Sequence, residues 1–347
     1  MHKVLTAMSG GVDGSAAAAI LLERGFNVSG ATMKLFSNDC TDIEDARAAA
    51  AALDIEHMVF DFTELFESSV IDRFTALYLD GQTPNPCVLC NRAVKFGAFV
   101  RRAVELGFDY VATGHYVRLS HDAKSDEHLL HRAEDVSKDQ SYVLYSLTQE
   151  VLSRTLFPLG DMKKSDAREI AARSGVKNVN RPESQDICFV RDGDYAGFIE
   201  SVAGTGMGPG VFLDTGGNTI GAHRGIVHYT IGQRRGIGIA ASHPLYVIDK
   251  DAAANTVTVG RNEALFSEKL TVRDVNIVSP RFLEPLGASF AATVKIRYAH
   301  GGSGARVTLL PGGRARVDFE SPQRAVTRGQ SAVFYNDGVL IGGGVIE

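Results

Sequence analysis

Apolar residues at the start of the chain fall into short strand-like runs that alternate with helical patterns. Strand-like runs occupy residues 3–8, 26–33, 57–62 and 109–113. Helical spacing lies between and around them, at residues 15–23, 41–53, 63–79 and 93–106. This strand–helix–strand repetition predicts a parallel sheet with right-handed crossovers and helices on both faces. In such a sheet, ligands bind at the carboxyl ends of the strands.

The pattern changes near residue 190, after which glycine recurs often and helical spacing is rare. Short strand-like runs appear at residues 210–213, 227–231, 245–248, 256–259, 291–296, 305–310, 315–319 and 332–335. Turn signals separate them, which is typical of small barrels or sandwiches. We therefore expect an α/β domain over residues 1–195, a small β-rich domain over 196–266 and a second β domain over 267–347.

Composition narrows the class of protein. The chain has 347 residues and is 44% hydrophobic with a formal net charge of −5, which excludes a disordered chain, a collagen-like fibre and a strongly basic nucleic-acid binder. Four cysteines are too few for a disulfide framework in a chain of this length. We find no apolar run of about 18 residues and no signal-peptide pattern, so we expect no membrane segment and a cytoplasmic location.

Residues 9–15, Ser-Gly-Gly-Val-Asp-Gly-Ser, follow the first strand and open the first helix. Glycines let the backbone approach a ligand, and a helix N-terminus presents free amides with partial positive charge. Together they form an anion site suited to pyrophosphate. The sequence matches neither GxxxxGK[ST] nor GxGxxG. A plain strand–helix turn is the alternative interpretation.

Residues 83–92, Thr-Pro-Asn-Pro-Cys-Val-Leu-Cys-Asn-Arg, hold two cysteines in CxxC spacing. The two prolines predict a loop and exclude a helix there, with the helix beginning at residue 93. The spacing suits a redox pair, half a zinc site or a chance pair, and we expect no metal site because a second CxxC is missing. Cys188, in Ser-Gln-Asp-Ile-Cys-Phe, is by itself most simply a buried structural thiol.

Five motifs occur in one order along the chain: SGGVDGS, TPNPCVLCN, ATGHY, KDQSY and SQDICF. In this order they resemble the tRNA-specific 2-thiouridylase family, which belongs to the PP-loop ATP-pyrophosphatase superfamily. The similarity covers essentially the whole chain, including residues 232–238 and 329–335. It implies a PP-loop catalytic domain followed by two small β-rich domains, the last a β-barrel. Gly14 departs from the family, which usually has Ser there, so a hydroxyl contact to phosphate is lost while backbone donors remain.

The resemblance implies an activity, the ATP-dependent 2-thiolation of the wobble uridine, position 34 of tRNA. The enzyme would adenylate the C2 carbonyl oxygen and then transfer sulfur from a persulfide on Cys188, releasing AMP and pyrophosphate. Cys90 matches the partner thiol that helps to release this sulfur and ends in a Cys90–Cys188 disulfide. The two thiols lie 98 positions apart (188 − 90), so the fold must bring them together or one segment must move.

The resemblance also implies binding residues and partners. ATP, with Mg²⁺ at its phosphates, would contact Ala7, Met8, Ser9, Gly10, Gly11, Val12, Asp13, Gly14, Ser15, Met33 and Gly114. The tRNA, of the Lys, Glu or Gln type, would contact Asn85, Pro86, Cys87, His115, Lys138, Asp139, Gln140, Arg297, Tyr298 and Gln330. A persulfide-carrying protein would donate the sulfur. Candidate stacking surfaces for a flipped base are Tyr116, Tyr142 and Tyr298.

Cys87 stands where many members of the family have Asp, which is proposed there as an acid or base. A thiol with a lowered pKa can act as a base, but Cys87 is equally a spectator or a competitor for Cys90, and its role stays open.

Two other functions of the whole protein remain possible alternatives. One is a PP-loop enzyme that adenylates a different substrate, although amine transfer needs no thiol pair. The other is an RNA-binding protein that has lost ATP chemistry, for which Gly14 is the only support.

Overall fold

The computed structural model describes residues 1–36, 40–176, 187–190, 193–204, 208–283 and 285–347. The helices are α1 Val12–Glu23, α2 Cys40–Ala52, α3 Thr63–Phe66, α4 Asp72–Leu79, α5 Pro86–Cys90, α6 Phe99–Glu105, α7 Gln149–Ser153, α8 Lys164–Arg173 and α9 Tyr195–Ala203. The strands are β1 Lys3–Ala7, β2 Asn27–Lys34, β3 His57–Asp61, β4 Tyr110–Ala112, β5 Arg118–Asp122, β6 Glu127–His131, β7 Thr155–Leu156, β8 Gly210–Leu213, β9 Thr219–His223, β10 Tyr246–Asp251, β11 Thr256–Gly260, β12 Phe266–Ile277, β13 Ser289–Lys295, β14 Ser303–Leu310, β15 Arg314–Arg324, β16 Ser331–Asn336 and β17 Val339–Ile346.

The first domain is built on a parallel sheet of five strands in the order β3-β2-β1-β4-β7, which confirms the predicted class. Strands β1 and β2 begin together, since Lys3 lies opposite Asn27, and β1 ends at Ala7 opposite Ala31 while β2 continues to Lys34. Val4 faces a core formed with α1, α2 and α8, whereas Leu5 faces a core formed with α6. Helices therefore cover both faces, and the carboxyl ends of the central strands meet at one edge.

Two long helices follow β3, and each contains a π-helical stretch. One runs through α3, the π-helical residues Glu67–Ile71 and α4. The other runs through α5, the π-helical residues Asn91–Ala98 and α6. The prediction that prolines exclude a helix before residue 93 is wrong. Pro86 occupies the first helical turn, where the missing amide proton is not needed and the fixed φ favours the helix.

The middle domain is a four-stranded sheet in the order β10-β11-β8-β9. Its core includes Phe212, Val247 and Val257, and it extends to Phe74 and Tyr78 on α4 of the first domain. The strand predicted at residues 227–231 is wrong. Residues Ile226–His228 instead form a 3₁₀ turn after a positive-φ glycine, and the apolar run is buried in the core without joining a sheet.

The last domain is a closed antiparallel barrel of six strands, as the resemblance implied. The strands follow the order β12-β15-β14-β13-β16-β17, and β12 closes the ring by pairing with β17. The hairpin β5–β6 of the first domain extends this sheet, because Val339 of β17 lies opposite His131 of β6. Ser279 and Arg281 fix the hairpin by donating to the buried Glu127 carboxylate at 2.6 and 2.8 Å.

The first domain and the barrel share one hydrophobic core. Tyr142 and Leu144 of the first domain are fully buried in the same cluster as Val333 and Leu340 of the barrel. The Tyr142 hydroxyl donates to the Ser331 carbonyl oxygen at 2.8 Å across this junction. Burial of so much apolar surface fixes the two domains relative to each other. Among the described residues, no helix has the length and apolar character needed to span a bilayer.

Closure of the barrel requires glycine at residue 342. A Cβ there would lie 2.9 Å from the Ile277 Cα and closer still to the Asn276 carbonyl oxygen on the neighbouring strand. We expect Gly342→Ala to lower the free energy of unfolding by about 1–3 kcal/mol, because overpacking forces the backbone to shift. Gly301→Ala is the control, since a Cβ at residue 301 meets nothing within 4 Å. Equal denaturation midpoints for the two variants would contradict the tight closure.

Candidate functional site

The turn between β1 and α1 lies at the carboxyl edge of the sheet and leaves backbone amides for a ligand. Gly10 has φ +73°, and a Cβ there would lie 3.0 Å from the Ala46 amide nitrogen of α2. Gly11 occupies the N-cap of α1, and no side chain caps the helix. The first-turn amides and the positive end of the helix therefore remain for an anion. The turn therefore presents donors of the kind that a phosphate group accepts, and its binding of pyrophosphate stays a prediction.

Asp13, in the first turn of α1, is held by two partners from distant parts of the chain. The Lys164 ammonium lies 2.7 Å from both carboxylate oxygens, and the Tyr116 hydroxyl donates to Oδ1 at 2.9 Å. Lys164 and Tyr116 are both buried, and the ammonium also lies 5.5 Å from the Tyr116 ring centroid. The Asp13 carboxylate is thus neutralised by protein and is not a vacant metal ligand.

The predicted nucleotide residues Gly114 and Met33 both lie beside the phosphate turn. A Cβ at Gly114 would lie 2.6 Å from the Asp13 Cβ, so only glycine allows this approach of the loop after β4. Met33 is half-buried near the carboxyl end of β2, the strand that pairs with β1. A separate open cavity of about 550 Å³ lies at the carboxyl ends of β2 and β3, and the residues that line it, Lys34, Asp61, Phe62, Thr63, Glu64 and Leu65, are outside the phosphate turn.

Two small residues after Asp13 face the protein and not the turn. Ser15 is buried, and its hydroxyl donates to the Gly11 carbonyl oxygen at 3.0 Å. Gly14 lies against β1, where a Cβ would be 2.7 Å from the Ala7 carbonyl oxygen. Neither position directs a hydroxyl toward a ligand. Glycine in place of the usual serine at residue 14 therefore allows a close contact between α1 and β1, and it also removes a hydroxyl.

Helix α5 places two cysteines one turn apart in different environments. The Asn85 side chain caps the helix by accepting from the Cys87 amide at 3.0 Å. Cys87 is exposed, whereas Cys90 is only 7% exposed and packs with Phe66 and Val94. Desolvation raises the pKa of the Cys90 thiol, and Lys95 opposes this only in part. Cys90 is therefore a protonated, shielded thiol in this state.

Cys188 lies next to the cluster that contains Cys90. Its neighbour Phe189 packs against Phe66 and Phe74, with ring centroids 5.9 and 5.3 Å apart, and Ile187 also joins an apolar core. Cys188 itself is exposed and is not in a disulfide. Desolvation raises the pKa of its thiol, and the nearby Cys90 and Cys87 add to this rise. Because solvent reaches Cys188, water screens part of this desolvation. The three thiols thus gather on one side of the molecule.

The C-terminal barrel holds the loop that presents Cys87. The Thr83 amide donates to the Arg328 carbonyl oxygen at 2.8 Å, and the Gln330 side chain donates to the Thr83 carbonyl oxygen at 2.7 Å. Gly329 lies between them, where a Cβ would be 2.9 Å from the Thr83 nitrogen. The predicted tRNA residue Gln330 therefore lies beside the predicted base-contact residues of the same loop.

Tyr298 and Lys295 form the other side of this region. Tyr298 is 45% exposed, and its hydroxyl donates to the Asp139 carbonyl oxygen at 3.1 Å. The Tyr298 pKa is raised by desolvation first and then by Asp139 and Cys87, which places its ring near the exposed thiol. Lys295 is buried with its ammonium over the rings of Tyr142 and Tyr298, at 5.8 and 5.9 Å from their centroids. A buried cation thus lies against the exposed aromatic ring of Tyr298.

Several other predicted tRNA residues are engaged inside the protein. The buried Asp139 carboxylate accepts from the Ser141 amide and hydroxyl, the Ala133 amide and the Arg132 guanidinium, at 3.0–3.2 Å. The Gln140 side chain accepts from the Tyr116 amide at 2.9 Å. His115 is buried, contacts the Thr113 hydroxyl at 2.8 Å, and has its pKa lowered well below the usual value by desolvation. Lys138 is half-buried and Arg297 is exposed.

The prediction that Tyr116 and Tyr142 offer stacking surfaces for a base is wrong. Tyr116 is 3% exposed and Tyr142 is fully buried, so neither offers a ring face to a base, whereas Tyr298 does. The described residues contain no group of three His, Cys, Asp or Glu side chains placed to hold a metal ion.

Sequence reasoning missed the roles of Lys164 and Lys295. No local pattern around Lys164 indicates its role, because its partner Asp13 is 151 positions away. Strand alternation places Lys295 on the same face as the exposed Thr293, so the sequence gives no signal that this lysine is buried.

Comparisons with known proteins agree with this architecture. Models for a tRNA methyl transferase HUP domain, a tRNA methyl transferase PRC-barrel domain and an aminomethyltransferase β-barrel domain match residues 2–192, 197–261 and 267–346. The tRNA-specific 2-thiouridylase MnmA of Treponema denticola is 46% identical over 99% of this chain and 98% of its own length. The protein of the same name from Moorella thermoacetica is 46% identical over 99% of both chains. This chain belongs to the tRNA-specific 2-thiouridylase family.

Solved structures related to this 2-thiouridylase chain are more distant. A 4-thiouridine synthetase–RNA complex with bound ATP has a TM-score of 0.38 and 19% identity, over 55% of this chain and 45% of its own. A predicted tRNA methyltransferase subunit from Methanocaldococcus jannaschii has a TM-score of 0.32 and 17% identity, over 50% and 75%.

Gly14→Ser tests the packing of the phosphate turn in this family member. Although the change restores the usual hydroxyl, we expect it to lower the free energy of unfolding by about 1–3 kcal/mol, because its Cβ meets the Ala7 carbonyl oxygen at 2.7 Å. Gly11→Ser is the matched control for stability, since its Cβ meets only the Ser9 hydroxyl at 3.6 Å and φ is −82°. Wild-type stability for Gly14→Ser, measured by urea denaturation, would refute the close contact.

The different environments of the α5 thiols predict different labelling rates. At pH 8, iodoacetamide should modify Cys87 before Cys90, because alkylation needs an accessible thiolate and burial both shields Cys90 and raises its pKa. Raising the pH should accelerate Cys90 labelling, since more thiolate forms as the pH approaches the raised pKa. Peptide mass spectrometry of native and urea-unfolded protein gives both rates. Equal rates in the native protein would contradict this arrangement.

Proposed function

We propose that this enzyme catalyses ATP-dependent 2-thiolation of the wobble uridine, position 34, of tRNA. The placement of Cys188 beside the cluster of Cys90, with the phosphate turn at the same edge of the sheet, supports the proposal most strongly. Relatives that match nearly the whole chain carry the name tRNA-specific 2-thiouridylase. The chemistry requires a phosphate-binding turn and two thiols, and the chain supplies both.

The first step activates the uridine. The C2 carbonyl oxygen attacks the α-phosphorus of ATP, an O–P bond forms, and pyrophosphate leaves. Amides of residues 9–15 and the α1 N-terminus would stabilise the negative charge on the phosphates. Lys164, held against Asp13, would keep this turn fixed and offset the negative charge of that carboxylate beside the phosphates. Adenylation converts a poor leaving oxygen into AMP.

The second step delivers sulfur. The outer sulfur of a Cys188 persulfide attacks C2, and AMP leaves, so that uridine is joined to Cys188 through two sulfurs. The Cys90 thiolate then attacks the Cys188 sulfur and forms a Cys90–Cys188 disulfide. The bond between the Cys188 sulfur and the transferred sulfur breaks, and its electron pair remains on the sulfur of 2-thiouridine. Because the Cys90 pKa is raised by burial, this attack requires a proton acceptor or partial exposure of the thiol.

The tRNA would lie across the region between α5 and the barrel. Asn85, Cys87, Tyr298 and Gln330 border that region, and Tyr298 offers an exposed ring on which a flipped base can stack. Arg297, which is exposed, would supply a cationic contact beside it. Asp139, Gln140 and His115 are engaged internally, so we assign them to holding the loops that border the region.

The remaining parts of the proposal follow from family resemblance. They comprise tRNAs of the Lys, Glu and Gln type, a persulfide donor protein, a cytoplasmic location and domains at residues 1–195, 196–266 and 267–347. Mg²⁺ would arrive with the phosphates of ATP, because the described residues gather no protein ligand set for it. A PP-loop synthetase for another substrate is disfavoured by the thiols gathered near the sheet edge, which amine transfer would not use.

Cys188→Ser tests the central step. With wobble-uridine tRNA, ATP, Mg²⁺ and a sulfur donor, wild type should form 2-thiouridine, AMP and pyrophosphate, whereas Cys188→Ser should form no 2-thiouridine because the persulfide carrier is lost. Nucleoside mass spectrometry and nucleotide chromatography measure both products. Cys40→Ser controls for the loss of a thiol. Full activity of Cys188→Ser would disprove the persulfide assignment, and ADP as product would disprove the assigned bond cleavage.

A further inference from the structure

Cys87 is the thiol for which the proposed reaction gives no use. It lies one helical turn before Cys90 on α5, and it is exposed whereas Cys90 is buried. It is close enough to Cys90, Cys188 and Tyr298 to raise the pKa of each of those groups. Cys87 therefore lies near both reacting thiols and near Tyr298, which suggests a role in the reaction.

Regeneration of the enzyme presents a physical difficulty that Cys87 can resolve. After sulfur transfer, the proposed disulfide joins Cys188 to Cys90, which packs among Phe66, Val70 and Val94. Thiol–disulfide exchange requires a thiolate to reach a sulfur atom along the S–S axis, so an external dithiol can attack at the exposed Cys188 sulfur but not at the shielded Cys90 sulfur. The enzyme can complete another cycle only when Cys188 is free again.

We propose that Cys87 resolves the Cys90–Cys188 disulfide by attacking the Cys90 sulfur, so that the disulfide moves to the Cys87–Cys90 pair and Cys188 is released for the next persulfide. This inference rests on the proposed function. The exchange is balanced: the Cys87 thiolate forms an S–S bond with Cys90, the Cys90–Cys188 bond breaks, and the electron pair leaves with the Cys188 thiolate. A dithiol reductant then reduces the exposed CxxC disulfide and is itself oxidised.

The local geometry suits this exchange. Side chains three positions apart on a helix have Cβ atoms roughly 5–6 Å apart, and a disulfide needs about 3.5–4.5 Å. The first turn of α5 must therefore shift slightly. That turn is the end of the helix, where the Cys87 amide is bound by the Asn85 side chain and not by a preceding helical carbonyl. The barrel holds the loop by hydrogen bonds at Thr83, four positions earlier, and Val88, the residue after Cys87, packs in the core that the barrel shares.

Trapping the disulfide after one turnover tests the exchange directly in wild-type protein. Enzyme with a preformed Cys188 persulfide is mixed with ATP, Mg²⁺ and wobble-uridine tRNA without reductant, quenched in acid, alkylated and mapped by mass spectrometry. We expect a Cys87–Cys90 disulfide with alkylated Cys188. In Cys87→Ser the trapped species should instead be Cys90–Cys188. Acid quenching prevents later exchange because it protonates the attacking thiolate.

Steady-state turnover provides a second measurement. With a dithiol reductant and a sulfur donor, the ratio of later turnovers to the first should fall on the order of tenfold in Cys87→Ser, because reduction must then proceed by external attack at the Cys188 sulfur alone. Cys40→Ser, which also removes one thiol, should keep the wild-type ratio. Trapping of Cys90–Cys188 in wild type, or an unchanged ratio in Cys87→Ser, would overturn the exchange alone. Failure of wild type to form any 2-thiouridine in the first turnover would overturn the proposed function as well.

Discussion

The packing of Phe189 is the interaction on which the arrangement of the site depends. Its ring lies 5.9, 5.3 and 5.1 Å from those of Phe66, Phe74 and Phe198. The contacts with Phe66 and Phe74 are edge-to-face, and they add to the apolar area that this partly buried ring removes from water. Because Cys188 is the residue before Phe189, the same burial brings its thiol to the helix that carries Cys87 and Cys90. A short apolar anchor thereby joins two segments that are almost a hundred positions apart.

A second constraint comes from the barrel, which holds the loop that precedes the same helix. Arg328, Gly329 and Gln330 fix the backbone at Thr83, and Tyr298 lies near Cys87. The barrel therefore contributes to the site by positioning a loop of the first domain as well as by offering its own side chains. Shared burial of Tyr142 with Val333 makes this positioning rigid.

The sequence predicted the parallel sheet, the phosphate turn and the β-rich second half, because strand periodicity and glycine-rich turns are local signals. Three features were beyond that reasoning. Pro86 begins a helix although prolines suggested a loop, since a proline interrupts a helix only after its first turn. Val227 is buried without being in a strand, because a short apolar run does not distinguish the two. The Asp13–Lys164 pair depends on the tertiary fold, and no local pattern reveals a partner 151 positions away.

The β5–β6 hairpin has a mechanical consequence. It leaves the α/β domain, joins the edge of the barrel sheet through Val339 and His131, and is tied down at Glu127. A hinge opening between these two domains would have to break that strand pairing, the buried carboxylate contacts and a common core at once. A large hinge motion between the α/β domain and the barrel is therefore energetically unfavourable in this enzyme. Whatever motion catalysis needs must be confined to single turns and short connecting segments.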